Sequence, residues 1–593
     1  MFSDLRSFWA LIHPERWKYF VGLLSLFLVN AADVLSPVFM AVAIDLTEAQ
    51  LTGNAARTTP ILAMMGLETT DFTLTLTLVL YMAFQVAANA FRYPMLMYVA
   101  VPSHEVGQSV RRRLVDHLLK LGRPFFDKAR SGDLMTLATN DVNAVRMAVG
   151  PGVLVGMDTL FIVTSVLVVL FALSWKLTLI AMIPLPIIAF VTNKLSHAEH
   201  VRFRDVQDDL GKLTERVRES YAGIRIIQGY AREDHDRARM LDFSTRHLRK
   251  NLRLARVHSV FDPTLDLMLG VSTTLVLVFG GLQVVSGEST LGTFVAFLFL
   301  VRYLAGPMIG FGWSVSLFQR GRASLARLHE LWATPVRIRD DDAPLEPTAT
   351  HGALSIQNLT FEYGGADGAA LQDISVEVPA GASVGIIGPV GAGKSTLVNL
   401  MVRLYDPPRG TVFLDGQDVR SLRLAQLRRD IVLAPQDTFL FSDTVARNLA
   451  LTGDAKNGDV VRYARLAQLH DEIEGLRKGY ETILGERGVN LSGGQRQRLA
   501  IARAIAADPK VLVLDDCLSA VDASTEEAIL DGLDEVFADR TGVIVSHRVC
   551  AVRRCDEILV IDDGHIVERG SHAALLDADG WYANIAREQS REA

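Results

Sequence analysis

The residues with the clearest chemistry form a glycine-rich segment, Gly388-Pro-Val-Gly-Ala-Gly-Lys-Ser395, between an apolar run and a helical stretch. Glycines in such a turn let backbone N–H groups and a helix N-terminus surround phosphate oxygens. In this pattern the lysine reaches the β- and γ-phosphates, and the serine hydroxyl binds Mg²⁺. The predicted contacts with a nucleotide in this segment are Gly388, Gly391, Gly393, Lys394, Ser395 and Thr396.

Two further segments strengthen this prediction. Val511-Leu-Val-Leu is a continuous apolar run that ends in Asp515 and Asp516, and a carboxylate at the end of such a strand can supply a second contact to Mg²⁺. Leu491-Ser-Gly-Gly-Gln495 precedes a helical stretch and places N–H and hydroxyl donors at a helix N-terminus, which suits a γ-phosphate. The donors predicted from this second segment are Ser492, Gly493, Gly494 and Gln495.

Together the three segments resemble the nucleotide-binding domain of an ATP-binding cassette (ABC) protein. The resemblance implies ATP and Mg²⁺ as ligands. It also implies that the donors around Ser492 serve a nucleotide held by an opposite subunit, so that two domains close over two ATP molecules. The implied Mg²⁺ contacts are Ser395, Gln436 and Asp515.

Four single residues match the family position by position. Tyr363 resembles the aromatic residue that stacks on adenine, and Gln436 the glutamine that senses Mg²⁺. His547 resembles the histidine that contacts the γ-phosphate, and the segment that ends in Asp522 resembles the loop that crosses the dimer interface. Each also has an ordinary interpretation: an edge-strand tyrosine, a loop glutamine, a surface histidine and a helix N-cap.

Asp516 departs from the family pattern, in which the residue after the Mg²⁺-binding Asp is usually Glu and polarises the attacking water. With Gln436 and His547 it makes up the predicted catalytic set. A carboxylate that is shorter by one CH₂ moves its oxygens back by about 1 to 1.5 Å, and misplacements of that size can cost about 10²-fold in rate. We therefore expect a subunit that hydrolyses ATP slowly at its own site and pairs with a different chain, although a conservative exchange in a slow homodimer remains the alternative.

Composition places the first half of the chain in a membrane. The 593 residues have a mean hydropathy of +0.23, and a helix needs about 20 apolar residues to cross a bilayer. Six candidate spans are Tyr19 to Leu46, Phe72 to Val101, Ala148 to Leu173, Leu177 to Leu195, Pro263 to Val285 and Leu291 to Phe311. Residues 1–18 mix aromatic and charged side chains, so they predict an interfacial helix rather than a signal peptide.

Lysine and arginine are concentrated between the second and third spans and between the fourth and fifth. By the positive-inside rule, both termini and both of these long loops face the cytoplasm. The three cysteines all fall in the nucleotide-binding half, which excludes a disulfide framework in a reducing compartment. Cys517 is expected to be a small buried residue at a strand end rather than a reactive thiol.

The two long loops have helical composition, and each has a break at its middle, at Gly122-Arg-Pro124 and at Gly223. This organisation resembles the six-helix transmembrane domain of ABC exporters, whose coupling helices rest on the nucleotide-binding domains. Residues 127–141 and 219–234 match the two coupling segments, and residues 482–488 match a segment found in exporters and absent from importers. Apolar runs alternate with helical ones after Leu354, which predicts an α/β domain.

These features predict a six-span α-helical transmembrane domain followed by an α/β P-loop nucleotide-binding domain. The expected boundaries are 1–18 for the interfacial helix, 19–330 for the transmembrane domain, 331–350 for a linker and 351–593 for the nucleotide-binding domain. The resemblance extends to bacterial multidrug-resistance-like subunits of heterodimeric exporters and implies outward movement of amphipathic drugs, lipids or peptides. A regulatory membrane protein gated by nucleotide remains a second class. The intramembrane side chains Asp33, Arg92, Asp158 and Asp266 could contact substrate or pair helices with each other.

Overall fold

A computed structural model describes residues 2–53, 72–341, 343–345, 350–364, 368–451, 457–485 and 488–592. The chain divides into two units. The first comprises Met1–Val115 and Gly132–Ala333, and the second comprises Asp116–Ser131 and Thr334–Ala593.

The described part of the first unit is helical throughout. Its helices, together with those of the segment 116–131, are α1 (Phe2–Ile12), α2 (Arg16–Thr52), α3 (Leu74–Leu118), α4 (Arg123–Phe126), α5 (Ser131–Thr136), α6 (Val142–Met147), α7 (Val153–Leu173), α8 (Trp175–Met182), α9 (Pro184–Ala222), α10 (Ile224–Gly229), α11 (Glu233–Val285), α12 (Leu291–Tyr303) and α13 (Ala305–Trp332). Two π-helical turns, Leu137–Asp141 and Ala148–Gly152, join α5, α6 and α7 into one continuous helical path.

Within the described ranges, four helical stretches are long and apolar enough to cross a membrane: Arg6–Thr52, Leu74–Leu118, Ser131–Leu173 and Asp266–Val285. They contain the first, second, third and fifth predicted spans, apart from residues 72 and 73 of the second and the first residues of the fifth. The N-terminal segment is helical, and a 3₁₀ turn at His13–Glu15 separates α1 from α2.

The fourth and sixth predicted spans are each divided by a break. Ile183 separates α8 from α9, and Leu304 separates α12 from α13, which leaves α12 as a shorter apolar helix. Both breaks lie just before prolines, at 184 and 186 in the first case and at 307 in the second. Because proline has no N–H and its ring displaces the carbonyl four residues earlier, a break at these places follows from the sequence.

Side chains from neighbouring helices fill the interior of the first unit. One apolar cluster joins α2, α7, α8, α11 and α12, with Val38, Val166 and Phe297 buried in it. At the end of this cluster, α2 and α12 come very close, since a Cβ on Gly292 would lie 2.0 Å from the carbonyl oxygen of Ala41. The backbone N–H of Gly292 donates to Asp45 Oδ1 at 2.7 Å, so the helices are joined by packing and by a buried hydrogen bond.

The intramembrane charges pair across helices. Arg92 Nη2 lies 3.1 Å from Asp33 Oδ2, which also accepts the hydroxyl of Tyr303 at 3.2 Å. Asn30 Nδ2 donates to Asp158 Oδ1 at 3.1 Å. Asp266 is exposed on α11. For Asp33, Arg92 and Asp158 these contacts fit interhelical pairing, which was one of the two interpretations of the sequence.

Both long loops have the predicted helical extensions and breaks. Helix α3 runs to Leu118, and the short helix α4 starts directly after Gly122. In the second loop α9 ends at Ala222, and Gly223 leads into the short helix α10. The first short helix thus lies slightly before the expected coupling segment at 127–141, because the helix starts again at Arg123 with Pro124 in its first turn, a position that tolerates proline.

The second unit contains two sheets. Its strands are β1 (Leu354–Phe361), β2 (Leu371–Val378), β3 (Ser383–Ile387), β4 (Val412–Leu414), β5 (Gln417–Asp418), β6 (Ile431–Ala434), β7 (Val511–Asp515), β8 (Thr541–Val545), β9 (Glu557–Asp562) and β10 (His565–Gly570). The first sheet is antiparallel with order β2-β1-β4-β5. The second has order β10-β9-β3-β8-β7-β6 and is parallel except for the pairing of β10 with β9.

Helices lie between and around these strands. They are α14 (Lys394–Met401), α15 (Leu424–Asp430), α16 (Val445–Leu449), α17 (Asn457–Leu466), α18 (His470–Glu474), α19 (Gly493–Ala506), α20 (Ala523–Phe537), α21 (Val549–Val552), α22 (His572–Asp577) and α23 (Trp581–Glu592). The five residues of β7 are all buried. Leu512 and Leu514 pack into one core, whereas Val511 and Val513 pack into another, so both faces of this strand are covered, as its continuous apolar run predicts.

Candidate functional site

The predicted catalytic side chains follow the carboxyl ends of three adjacent parallel strands. Gln436 comes two residues after β6, Asp516 directly after β7 and His547 two residues after β8. Because these strands are neighbours in the sheet, residues that are far apart in sequence meet at one edge. Ligands of open α/β sheets bind at this edge.

Asp516 is the meeting point of this group. Gln436 Nε2 donates to Asp516 Oδ2 at 3.3 Å, and His547 Nδ1 lies 2.9 Å from Asp516 Oδ1. The Asp516 side chain is only 16% exposed, whereas that of His547 is half exposed. Each carboxylate oxygen therefore has a protein partner.

The backbone at Asp516 has an unusual conformation. Its φ is +47°, in the left-handed region, and its N–H donates to the carbonyl of Val545 at 2.9 Å. Among residues other than glycine, Asn and Asp tolerate this region best. The turn fixes where the carboxylate leaves the strand, so side-chain length decides how far its oxygens reach.

The glycine-rich segment forms the predicted turn between β3 and α14. A Cβ on Gly388 would lie 1.9 Å from the carbonyl oxygen of Ile561, and one on Gly393 would lie 2.6 Å from that of Ala370. Gly393 also has a φ of +100°, and Gly391 has one of +89°. This loop conformation therefore requires glycine at 388 and 393.

Lys394, Ser395 and Asp515 lie together at the start of α14. The Lys394 ammonium donates to the carbonyls of Gly388 and Pro389 at 2.8 and 2.7 Å. The Ser395 hydroxyl donates to Asp515 Oδ1 at 3.3 Å. Burial lowers the pKa of Lys394, and burial raises the pKa of Asp515, with a further increase from the charge of Asp516.

This donor set fits a phosphate chain with Mg²⁺. The Ser395 hydroxyl and the Asp515 carboxylate are oxygen ligands of the kind that Mg²⁺ takes together with substrate phosphates. The Lys394 ammonium and the helix N-terminus beside them favour the negative charge of the phosphates. No group of three or more His, Cys, Asp or Glu side chains suited to a metal occurs among the described residues. Ser395 and Asp515 would thus hold the ion together with phosphate and water.

Tyr363 is fixed beside this loop by several contacts. Its hydroxyl donates to Thr396 Oγ1 at 3.0 Å. Its ring packs edge-on against Phe361 and Tyr405, with centroid distances of 5.2 and 5.0 Å. The ring is half-buried, in a position compatible with base stacking next to the phosphate loop.

The segment around Ser492 forms the N-terminus of α19. Ser492 accepts the N–H of Gln495 at 3.2 Å, and Gln495 Oε1 accepts the N–H of Ser492 at 2.8 Å, which is a capping box. Gln495 Nε2 also donates to Glu472 Oε2 at 2.6 Å. The hydrogen bonds of Ser492 and Gln495 among the described residues do not involve the glycine-rich loop.

Two secondary predictions can be compared with the structure. Cys517 is 3% exposed, its thiol donates to the carbonyl of Ala434 at 3.1 Å, and burial raises its pKa, so it is an unreactive residue at a strand end as predicted. Asp522 is the N-cap of α20, and the N–H of Thr525 holds its pKa well below the usual range. In the exporter-type segment 482–488, residues 486 and 487 lie outside the described residues.

Tyr405 and Glu472 were not identified from the sequence, and Asp127 was predicted only as the first residue of the coupling segment 127–141. Tyr405 follows α14 within Arg403-Leu-Tyr-Asp406, which has no phosphate-binding pattern. Its hydroxyl donates to Asp127 Oδ2, and its ring contacts Tyr363. Only the folded arrangement brings these residues together.

The comparisons with known proteins agree with this fold. Residues 19–308 match the family described as ABC transporter transmembrane region, and residues 371–519 match the family described as ABC transporter. A helical membrane domain is therefore fused to an α/β nucleotide-binding domain. The chain belongs to the ABC transporter family and has the ATPase domain of its exporters.

Several relatives are bacterial half-transporters. "Probable multidrug resistance ABC transporter ATP-binding/permease protein YheI" of Bacillus subtilis is 36% identical over 98% of this chain and 97% of that protein. "Multidrug resistance-like ATP-binding protein MdlA" of Escherichia coli is also 36% identical, over 86% of each chain. "ATP-dependent lipid A-core flippase" of Photobacterium profundum is 33% identical over 82% of this chain and 83% of that protein.

A solved structure has the same architecture. A bacterial Atm1-family ABC exporter with ATP bound superimposes with a TM-score of 0.76 at 25% identity, over 98% of this chain and 99% of the other. The chain is thus an ABC exporter of the multidrug or lipid type, with the MdlA- and YheI-like half-transporters among its relatives.

Proposed function

We propose that this chain is the subunit with the slower hydrolytic site in an asymmetric pair of ABC half-transporters. In this proposal ATP binding and hydrolysis drive amphipathic drugs, lipids or peptides outward from the cytoplasm or the inner leaflet. The observation that carries the asymmetry is Asp516, which stands where the family usually has Glu and which is held by Gln436 and His547.

The geometry explains why Asp516 is a poor base for the attacking water. A carboxylate one CH₂ shorter stands back by about 1.5 Å from the position that Glu would reach. In this structure both of its oxygens already have protein partners, which hold it toward the sheet edge. A base must lie within hydrogen-bonding distance of the proton it removes, so we expect slow hydrolysis at this site.

The remaining residues of the site support tight binding of ATP. Lys394 and the N–H groups of the glycine-rich loop neutralise and orient phosphate oxygens. Ser395 and Asp515 hold Mg²⁺, which supplies charge neutralisation at the phosphates when bound. Tyr363 stacks on the adenine.

The segment around Ser492 serves the other half of the pair. Its sequence is complete, and the capping box fixes the first turn of α19, where the N–H groups of a helix have no partner within the helix itself. These donors would complete the site on the partner's phosphate loop, where a Glu after the corresponding Asp would activate water. The productive site therefore uses this chain's α19 and the partner's base.

Membrane topology follows from charge. Basic residues are dense in the loops that contain α4 and α10, so we place these loops, both termini and the second unit in the cytoplasm. The multidrug and lipid relatives suggest a hydrophobic or amphipathic substrate taken from the membrane or the cytoplasm.

A slow homodimer with two Asp516 sites is the second candidate, and a regulatory protein gated by nucleotide is the third. Purification of the chain from its native membrane tests whether the transporter is an asymmetric pair or a homodimer. A stoichiometric second half-transporter with Glu at the equivalent position supports the asymmetric pair, whereas a pure homodimer contradicts it.

The decisive experiment compares two variants of the purified transporter. Asp516→Asn should change steady-state ATPase activity by no more than about threefold, because only a minor contribution is removed. Replacing Gly493 and Gly494 by Ala should lower it by about 10²-fold or more, because the added methyl groups would keep the γ-phosphate of the productive site away from the N–H donors that stabilise the transition state.

Both variants are compared at equal assembly, as judged by gel filtration. An Asp516→Asn transporter as inactive as the glycine variant would restore Asp516 as the working base and exclude the asymmetric pair.

A further inference from the structure

Tyr405 links the predicted adenine site to the loop segment that joins α3 and α5. Its ring makes a T-shaped contact with the ring of Tyr363, with a distance of 5.0 Å between the ring centroids and an interplanar angle of 86°. At the other end of the same side chain, the hydroxyl donates to Asp127 Oδ2. One rigid side chain therefore contacts both the residue that would stack on a base and a carboxylate just after α4.

Two neighbouring contacts fasten the same segment. Arg123 Nη1 donates to Asn399 Oδ1 at 3.2 Å, and Asn399 lies on α14, which begins at the phosphate loop. Lys128 Nζ donates to the carbonyl of Gly364 at 3.4 Å, directly after Tyr363. The segment 123–128 thus contacts the surroundings of the predicted nucleotide site at three residues, Asn399, Gly364 and Tyr405.

Of these contacts, the hydrogen bond from Tyr405 to Asp127 is the one best suited to respond to the binding of adenine. A hydroxyl that donates to a carboxylate makes a charge-assisted bond with strict geometry. Burial, with the Asp127 carboxylate as a further cause, raises the pKa of Tyr405, so the hydroxyl keeps its proton. Because the two rings are in contact, an adenine that fixes the ring of Tyr363 also restricts the ring of Tyr405.

We propose that Tyr405 is a positioning residue that transmits adenine binding at Tyr363 to the segment 123–128 through Asp127. This inference rests on the proposed function, in which Tyr363 stacks on adenine. It predicts that the base, as well as the phosphates, orders this segment.

Hydrogen exchange on the full-length transporter in detergent tests this role. The two probes are AMPPNP and inorganic tripolyphosphate, each with Mg²⁺, since the second has phosphates but no base. AMPPNP should slow amide exchange in residues 123–128 by about 3- to 10-fold, because fixing the Tyr405–Asp127 hydrogen bond stabilises the segment by about the contribution of one hydrogen bond. Tripolyphosphate should protect residues 388–396 but not this segment.

Tyr405→Phe keeps the aromatic ring and removes the hydroxyl. It should abolish the protection of residues 123–128 by AMPPNP while leaving that of residues 388–396 intact. Asp127→Ala removes the acceptor and provides the same test by a second route, whereas Asp127→Asn keeps an acceptor oxygen and should restore protection. Tyr480→Phe is the matched control, because it removes a hydroxyl whose partner is His470 at 2.9 Å.

Equal protection of the segment by AMPPNP in Tyr405→Phe and wild type would overturn the inference, as would equal protection by tripolyphosphate. A wild-type protein whose residues 388–396 are not protected by AMPPNP would instead overturn the proposed nucleotide site itself. The readout requires no transport, so failure of the exporter proposal and failure of this inference remain distinct.

Discussion

At the scale of single residues, the site depends on which oxygens and nitrogens reach the phosphates. Asp516 has the chemistry of a base, but its reach is limited by one CH₂ and by the left-handed backbone from which it leaves β7. The long side chain of Lys394 does not limit the reach of its ammonium in this way. Its ammonium donates to the carbonyls of Gly388 and Pro389 within the loop.

Lys394→Ala should therefore weaken ATP binding at this chain's own site while the whole transporter keeps most of its turnover. The phosphates lose a charged partner, and hydrogen bonds to charged groups contribute about 1.5–3 kcal/mol, or about 10- to 100-fold in affinity. Titration of fluorescent ATP, together with steady-state ATPase assays, measures both quantities. Lys510→Ala is the control, since that side chain is exposed. Complete loss of ATPase activity in an assembled transporter would argue against the asymmetric pair.

The residues of the predicted catalytic set could be identified from the sequence, but their contacts with each other could not. Gln436 and Asp516 are 80 residues apart, and His547 follows another 31 residues later. Their convergence depends on β6, β7 and β8 being neighbours, and strand order leaves no periodic signal in a chain. Tyr405 was missed for the same reason, because its two partners come from distant parts of the sequence.

At the scale of secondary structure, elements with a strong local cause were predicted well. The apolar run of β7 is buried on both faces, and the breaks after Gly122 and Gly223 lie where glycine was expected to end a helix. The fourth and sixth spans were predicted as continuous because their apolar runs are continuous. Prolines at 184, 186 and 307 break the helices within these runs. The two-residue strand β5 has too short a pattern to be recognised.

Helix α19 has a cap with two roles that can be separated. In Ser492→Asp the carboxylate still accepts an N–H at the N-cap, so the melting temperature should stay close to wild type. ATPase activity should nevertheless fall by about 10²-fold or more, because a negative charge replaces a donor facing the γ-phosphate. Differential scanning fluorimetry and ATPase assays measure the two effects, and Ser492→Thr is the conservative control. An active Ser492→Asp transporter would exclude a phosphate contact at this position.

The junction of α2 and α12 is a second element with a sharp requirement. Gly292→Ala would place a Cβ 2.0 Å from the carbonyl oxygen of Ala41, so the helices must move apart. We expect a loss of about 1–3 kcal/mol in stability, typical of overpacking.

Gly281→Ala is the matched control for this junction, because nothing lies within 4 Å of the added Cβ. Thermal unfolding of the full chain in detergent should show a lower midpoint for Gly292→Ala alone. Equal midpoints for the two variants would show that the close approach of α2 and α12 is not a constraint.

At the scale of the whole molecule, one chain supplies half of each proposed nucleotide site. In the proposed pair its glycine-rich loop would bind one ATP, and its α19 would face a second ATP on the partner. Closure of two chains over ATP would then link nucleotide binding to transport.

The direction of transport is the last prediction, and it follows from the charge of the loops together with the exporter family. If the second unit is cytoplasmic and substrate leaves outward, inside-out vesicles should accumulate an amphipathic fluorescent dye when ATP is added to the medium. The Ser492→Asp transporter in the same vesicles should show no accumulation, since its productive site is blocked by charge. Right-side-out vesicles loaded with ATP should lose dye. Dye uptake by these right-side-out vesicles would mean inward movement, which is incompatible with the exporter assignment whatever the roles of the two ATP sites.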